Sequence, residues 1–271
     1  MSIFPRRSCS LRSLALLAFS LTAVAARVSA AEPATVRWTV EGAEREALVS
    51  PPSRRGTSGK APLVFVFHGH GGSMRTASQA FRIQDLWPEA VVAYMQGLPT
   101  GTDIDPRGTL PGWQRDPGEH SDRDLKFFDA ALQGLEKKFA IDDRRVYATG
   151  LSNGAYFVYL LWAERARLLA AIAPCAAVLR NAVRLKVPRP LLHIAGRQDP
   201  LVPFAQQEAA IVAARRFNQT VEEGKPCGQG CTIYTSPKQT PVIALIHPGG
   251  HAVPAGGPEA IVKFFQAQAL P

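Results

Sequence analysis

Apolar and polar positions along the chain fall into blocks whose period changes. Residues 37–40 and 45–49 alternate around Glu41-Gly42-Ala43-Glu44 and predict an opening antiparallel hairpin. Residues 63–67, Leu-Val-Phe-Val-Phe, are apolar throughout, which predicts a strand buried on both faces. Short apolar runs at 90–94, 146–149, 170–173, 191–195 and 242–246 predict further strands. Between them the period lengthens. Residues 122–139 place Leu125, Phe128, Leu132, Leu135 and Phe139 on one stripe, an amphipathic helix that Ser121 or Asp122 could cap. Helices are also predicted over 76–86, 155–163, 204–217 and 258–269. Residues 51–61 read as a polar loop and 96–118 as a long loop carrying Trp113. Loops of that length are often part of a binding site. Strands alternating with helices predict an α/β fold, a mostly parallel central sheet with helices on both faces. Ligands in such sheets bind beyond the carboxyl ends of the strands.

The first 30 residues stand apart from this pattern. Arg6, Arg7 and Arg12 make a positive segment, residues 14–26 an apolar one, and Val28-Ser29-Ala30 a small-residue cleavage site. We read residues 1–30 as a secretory signal peptide and residues 31–271 as one domain, long enough for a sizeable core. The apolar run is short for a membrane span, so no membrane association is expected after cleavage. The expected location is secreted or periplasmic.

Residues 1–30 hold four arginines (Arg6, Arg7, Arg12, Arg27) and no acid, so their removal lowers the formal charge from +9 to +5. The remaining excess gathers in no Lys/Arg run longer than two, which argues against nucleic acid as a partner. Cys227 and Cys231 flank Gly228-Gln229-Gly230, a spacing compatible with a local disulfide in an oxidising compartment. No second Cys/His pair at ligand spacing accompanies them, so no metal is expected. Cys175 reads as a buried free thiol.

Candidate chemistry centres on Gly150-Leu151-Ser152-Asn153-Gly154. The pattern Gly-x-Ser-x-Gly is weak alone and could be an incidental βα turn. A predicted strand before it and a helix after it are the context of a nucleophile elbow, where a serine hydroxyl stands clear of the backbone. Serine is a weak nucleophile and needs a base. Of the six histidines, His193 lies inside a predicted strand, His247 ends one, and His120 sits in a polar loop. His251, beyond the last strand, is the expected base. A base needs a buried acceptor to hold its tautomer. Asp199 follows the next-to-last strand and is the expected one, with a helix cap as its plainer reading. The chain order Ser152, Asp199, His251 is that of α/β-hydrolases. Two donors must meet the developing oxyanion. We expect one from the Asn153 N–H and the other from His68-Gly69-His70-Gly71-Gly72, assigned to the His70 N–H with Gly71 as the alternative. Trp113 and Tyr156 are candidate substrate-binding residues, with ordinary packing as the alternative for each.

Four segments in this order, His68-Gly69-His70-Gly71-Gly72-Ser73, Gly150 to Gly154, Asp199-Pro200-Leu201-Val202-Pro203-Phe204 and Gly249-Gly250-His251, resemble the polyhydroxybutyrate depolymerase-type esterases. That group includes feruloyl and acetylxylan esterases. The resemblance runs from about Pro62 to the C-terminus. It implies an α/β-hydrolase fold, a secreted carboxylester hydrolase, and Ser152, Asp199 and His251 as its triad. There are departures. His251 is followed by Ala252-Val253-Pro254 where the family often carries Trp-Pro, which implies a differently shaped acyl pocket. Ala155 stands where a further glycine is usual. No Ser/Thr-rich linker or polymer-binding domain follows Pro271, so attack on solid polymer is not expected. The reading is a serine esterase, a monomer without cofactor, acting on small or oligomeric esters. A serine peptidase on the same scaffold and a non-catalytic binding protein are the rivals.

Overall fold

Long apolar runs need cover on both sides, and the sheet is built around them. A computed structural model describes Met1, Ser2 and residues 32–271 apart from Arg55, Thr57, Ser58 and Asn181. The signal peptide expected over residues 1–30 therefore lies, beyond its first two residues, outside the described residues. The strands are β1 (Ala34–Val40), β2 (Ala43–Ser50), β3 (Ala61–Phe67), β4 (Val91–Met95), β5 (Leu98–Pro99), β6 (Pro111–Gly112), β7 (Ile141–Leu151), β8 (Ala171–Cys175), β9 (Leu191–Gly196), β10 (Lys225–Gly228), β11 (Cys231–Tyr234) and β12 (Val242–His247). Ten of them form one sheet in the order β1-β2-β4-β3-β7-β8-β9-β12-β11-β10. From β4 to β12 every pairing is parallel. An antiparallel hairpin closes each edge.

The helices are α1 (Met74–Phe81), α2 (Ile83–Leu86), α3 (Arg123–Lys138), α4 (Asn153–Arg165), α5 (Phe204–Asn218) and α6 (Gly257–Gln266). Strand β3 shows how its residues divide between two cores. Leu63, Phe65 and Phe67 join Phe127 and Phe128 of α3 and Phe157 of α4. Val64 and Val66 join Phe81 of α1 and, on the same face, Phe264 and Phe265 of α6. Alternation across a strand with apolar residues at every position thus gives a helix-covered sheet.

Four expectations change. The helix predicted over 76–86 is broken at Arg82, which is left-handed with φ 45°. Phe81 and Ile83 are both buried, at 1% and 0% exposure. Residues two apart lie on opposite faces of a continuous helix, and the break lets both meet the sheet. Neither Ser121 nor Asp122 caps α3; both are left-handed. Asp122 instead accepts from Gly118 N at 2.8 Å and Gln114 Nε2 at 2.9 Å. Gln114 Oε1 takes the capping role, accepting from the Asp124 and Leu125 amides. The loop over 96–118 contains the short β5–β6 ladder. The hairpin β10–β11 extends the sheet over residues for which no strand is predicted, and a Cys227–Cys231 disulfide ties it. Cys175 is a buried free thiol.

An ion pair lies under the edge hairpin. Arg45 of β2 donates from its NH2 to Asp124 Oδ1 at 2.7 Å and from its NH1 to the Arg123 carbonyl. Its guanidinium lies 4.2 Å from the Phe127 ring centre. The Arg45 and Asp124 side chains are 1% and 0% exposed. Removing one member of such a pair strands the other charge away from water. Arg45→Ala is expected to lower unfolding free energy by roughly 3–5 kcal/mol, read as a shift of the urea midpoint at unchanged slope.

Candidate active site

The turn at Ser152 is held by a close approach of backbone to backbone. Ser152 sits between β7 and α4 with φ 55° and ψ −123°, a region that L-residues avoid unless the surroundings impose it. Its amide donates to Cys175 O of β8 at 2.9 Å. A Cβ on Gly150 would lie 2.7 Å from the Phe67 carbonyl oxygen, and one on Gly154 would fall on the Phe67 and His68 carbonyls. The two glycines let the turn press onto the end of β3.

The ends of β9 and β12 bring the other two expected residues together. A Cβ on Gly196 would land on the Gly250 carbonyl, so the loops leaving these strands touch. Arg197 N donates to His247 O and Gln198 N to Gly249 O. Within this frame His251 Nδ1 lies 2.8 Å from Asp199 Oδ2 and 3.0 Å from Oδ1. The Asp199 carboxylate is fully buried. It accepts from Leu201 N at 2.9 Å, Val202 N at 2.8 Å and Gln207 Nε2 at 3.1 Å. Burial works against its charge, but the N–H groups of Val202, His251 and Leu201 together hold its pKa below the ordinary carboxylate value. A carboxylate so placed accepts the Nδ1 proton of His251 and leaves Nε2 unprotonated, the tautomer a base requires.

Cys175 links this pair to Ser152. Its carbonyl binds the Ser152 amide, and its Sγ donates to Ala252 O, one residue beyond His251, at 3.6 Å. Among the described residues no hydrogen bond joins Ser152 Oγ to His251. Such bonds commonly close only with substrate in place.

The two expected oxyanion donors are both open. Among the described residues neither His70 N nor Asn153 N has a hydrogen-bond partner, whereas Gly71 N is engaged with Pro111 O at 2.8 Å. Of the two amides of this loop, only that of His70 is free to donate. The Asn153 side chain is locked: Oδ1 accepts from Trp113 N at 2.7 Å and Nδ2 donates to Trp113 O at 3.0 Å. Ser152, Asn153, His70, Tyr156, Arg115 and Leu201 line one cleft. Tyr156 faces this cleft. Trp113 does not. Its ring is 1% exposed, packed between Phe67 and Phe157, with Nε1 donating to His68 O at 3.0 Å. It is a wall behind the site, because the β5–β6 ladder turns its side chain into the core. Among the described residues no group of three or more His, Cys, Asp or Glu side chains is placed to hold a metal.

Known proteins similar to the chain are esterases. Over 82% of its length the chain is 27% identical to feruloyl esterase C of Emericella nidulans, spanning 84% of that protein. It is 28% identical over 76% of its length to a probable feruloyl esterase C of Aspergillus niger, spanning 77% of it. Among solved structures, the acetyl xylan esterase from Aspergillus awamori superposes on 86% of the chain and 99% of its own, with a TM-score of 0.66 and 12% identity. The chain has an α/β-hydrolase fold and is similar to feruloyl and acetylxylan esterases. No protein-family model matches it.

This α/β-hydrolase also uses residues that the sequence did not single out. Asp105, in the long loop, accepts from Leu110 N at 2.9 Å and lies 3.3 Å from His70 Nε2. It ties the cleft loop to His70. His68 accepts from Gly97 N through Nε2 at 3.0 Å and sets Nδ1 2.7 Å from Gly69 O. Nothing periodic marks such contacts, which join loops far apart in sequence.

Two buried histidines make the hydrolase sensitive to acid. Burial lowers the pKa of His68 to about 4 and that of His193 to about 4. The unfolded chain takes up these protons near pH 6.5 and the folded chain only near pH 4. The stability each neutral histidine confers is therefore complete above pH 6.5 and lost as pH falls toward 4, on the order of 3 kcal/mol each. Urea midpoints measured from pH 7 to 4 should fall steeply over that window. His193→Phe should flatten the fall by about half.

Proposed function

We propose that residues 31–271 form a secreted serine carboxylester hydrolase working through an acyl-enzyme. The observation that carries this reading is the buried Asp199–His251 hydrogen bond, 2.8 Å long, at the strand ends beside a serine held at φ 55°. Ser152 Oγ attacks the ester carbonyl while His251 Nε2 takes its proton. The carbonyl oxygen gains the negative charge between the His70 and Asn153 amides, with the α4 N-terminus behind them. Asp199 orients His251 and stabilises its charged form. The tetrahedral intermediate collapses, the C–O bond to the alcohol breaks, and His251 returns the proton to the leaving oxygen. Water then repeats the sequence on the acyl-enzyme.

The related feruloyl esterases support an ester as substrate. Export rests on the positive, apolar and small-residue segments within residues 1–30. Among the described residues no helix is long and apolar enough to cross a membrane. The cleft carries Tyr156 and Arg115 beside the exposed apolar Ile104 and Leu201. That mixture suits an acyl or alcohol group with both apolar and hydroxylated parts.

Hydrolysis of p-nitrophenyl esters from acetate to octanoate, and of a ferulate ester, tests the reading. Ser152→Ala should lower kcat by at least about 10⁴-fold with the circular dichroism spectrum unchanged. A wild-type protein inert on every ester, or an alanine variant as active as wild type, would refute it.

A further inference from the structure

The Asp199 carboxylate has a partner that the triad itself does not require. Gln207 of α5 is fully buried. Its Nε2 donates to Asp199 Oδ2 at 3.1 Å and to Val202 O at 2.7 Å. Both are pure acceptors, so the orientation of the amide is settled and Oε1 is the end left over. Gln207 Oε1 and His193 Nε2 are both buried without a partner in strict hydrogen-bond geometry. Yet the Gln207 side chain raises the proton affinity of His193 as a hydrogen-bonding neighbour, which, with Nδ1 taken by Tyr159, assigns the contact to these two atoms. An acceptor oxygen there calls for the proton on His193 Nε2. Nδ1 is then bare and accepts from the Tyr159 hydroxyl, 2.6 Å away. Tyr159 belongs to α4, the helix that starts at Ser152.

We infer that Tyr159, His193 and Gln207 form a positioning arm that sets the Asp199 carboxylate relative to the helix carrying Ser152. The inference rests on the catalytic reading of Ser152, Asp199 and His251 above. Every hydrogen bond along the arm donates toward the carboxylate. The two carboxylate oxygens are served separately: Oδ1 by the Leu201 and Val202 amides, Oδ2 by Gln207. The backbone amides fix one oxygen, but the carboxylate plane is defined only when the second is held too. Oδ2 is the oxygen nearer His251 Nδ1. Gln207 is therefore the group that aims the carboxylate at the imidazole. His193 transmits the constraint from α4 through the core. It stays uncharged near neutral pH, because burial holds its proton affinity down, so the arm keeps one hydrogen-bond direction.

The test uses Gln207→Leu and Tyr159→Phe in the full chain, on p-nitrophenyl acetate across pH. In parallel, the downfield His251 imidazole N–H proton is followed by NMR in histidine-labelled protein. Gln207→Leu keeps the volume and removes the donor. It should lower kcat about tenfold with KM unchanged, the scale of one hydrogen bond to a charged group. The acid limb of kcat/KM should move to higher pH, because a carboxylate short of one donor holds the imidazolium more strongly. The His251 resonance should shift as well. Tyr159→Phe should act in the same direction by a few-fold, as the far end of the arm. A folded Gln207→Leu whose kcat, acid limb and resonance all match wild type would overturn the inference. If that variant does not fold, Tyr159→Phe decides: an unchanged kcat and acid limb overturn the arm. A wild type inert on all esters would sink the esterase reading instead, and the resonance comparison would still judge the arm.

Discussion

The contact on which the site depends is the pressing of the β7–α4 turn onto the end of β3. It exists only because Gly150 and Gly154 carry no Cβ to collide with the Phe67 and His68 carbonyls. Ser152 bears the cost, a left-handed backbone at φ 55° of the sort that costs on the order of 1–3 kcal/mol. The packing of Phe67, Trp113 and Phe157 around the same junction offsets it. The contact also sets the rest of the site. With the turn seated, the Cβ direction of Gly69 points 3.5 Å from Ser152 Cβ, so the loop holding the His70 amide runs beside the nucleophile. Asn153 then reaches Trp113 through two hydrogen bonds. One steric fact at two glycines thus gathers Ser152 and the His70 and Asn153 amides from two strand ends.

What was legible in the sequence is what the sheet buries on both faces. The runs that became β3, β4, β8, β9 and β12 are apolar almost throughout and read as strands within a residue or two, whereas β7 begins at Ile141, five residues before its apolar run, because Asp142-Asp143-Arg144-Arg145 hides its start. The motif serine, the aspartate after β9 and the histidine after β12 follow from that frame, because parallel strands deliver their loops to one edge. The hairpin β10–β11 was not legible. Lys225–Gly228 is exposed throughout and contains Pro226, so it carries neither the alternation nor the composition of a strand. Trp113 was placed in the right loop and facing the wrong way. Its orientation depends on a two-residue ladder of Leu98–Pro99 with Pro111–Gly112, too short to leave a pattern.

The loop over 96–118 shows how irregular backbone becomes rigid. Buried amides need partners, and a loop lacks the ladder that supplies them. Here side chains do so. Asp124 accepts from Gln114 N, Asp105 from Leu110 N, Asn153 from Trp113 N and His68 from Gly97 N. Each acceptor comes from elsewhere in the fold or reaches across the loop. The cleft wall is therefore fixed before any substrate arrives, which is what electrostatic stabilisation of an oxyanion requires.

That way of fixing a loop has a consequence for the conditions the fold tolerates. A ladder of backbone amides does not titrate, whereas a histidine acceptor does. Protonating His68 Nε2 would remove the acceptor of Gly97 N and set two donors against each other in a buried space. Burial resists that proton, so the geometry survives below neutrality at the expense of folding free energy. His193 is placed under the same constraint, in β9 against Tyr159 of α4. A site assembled from loops thus gains its order from the same neutral imidazoles that set the acid limit of the fold.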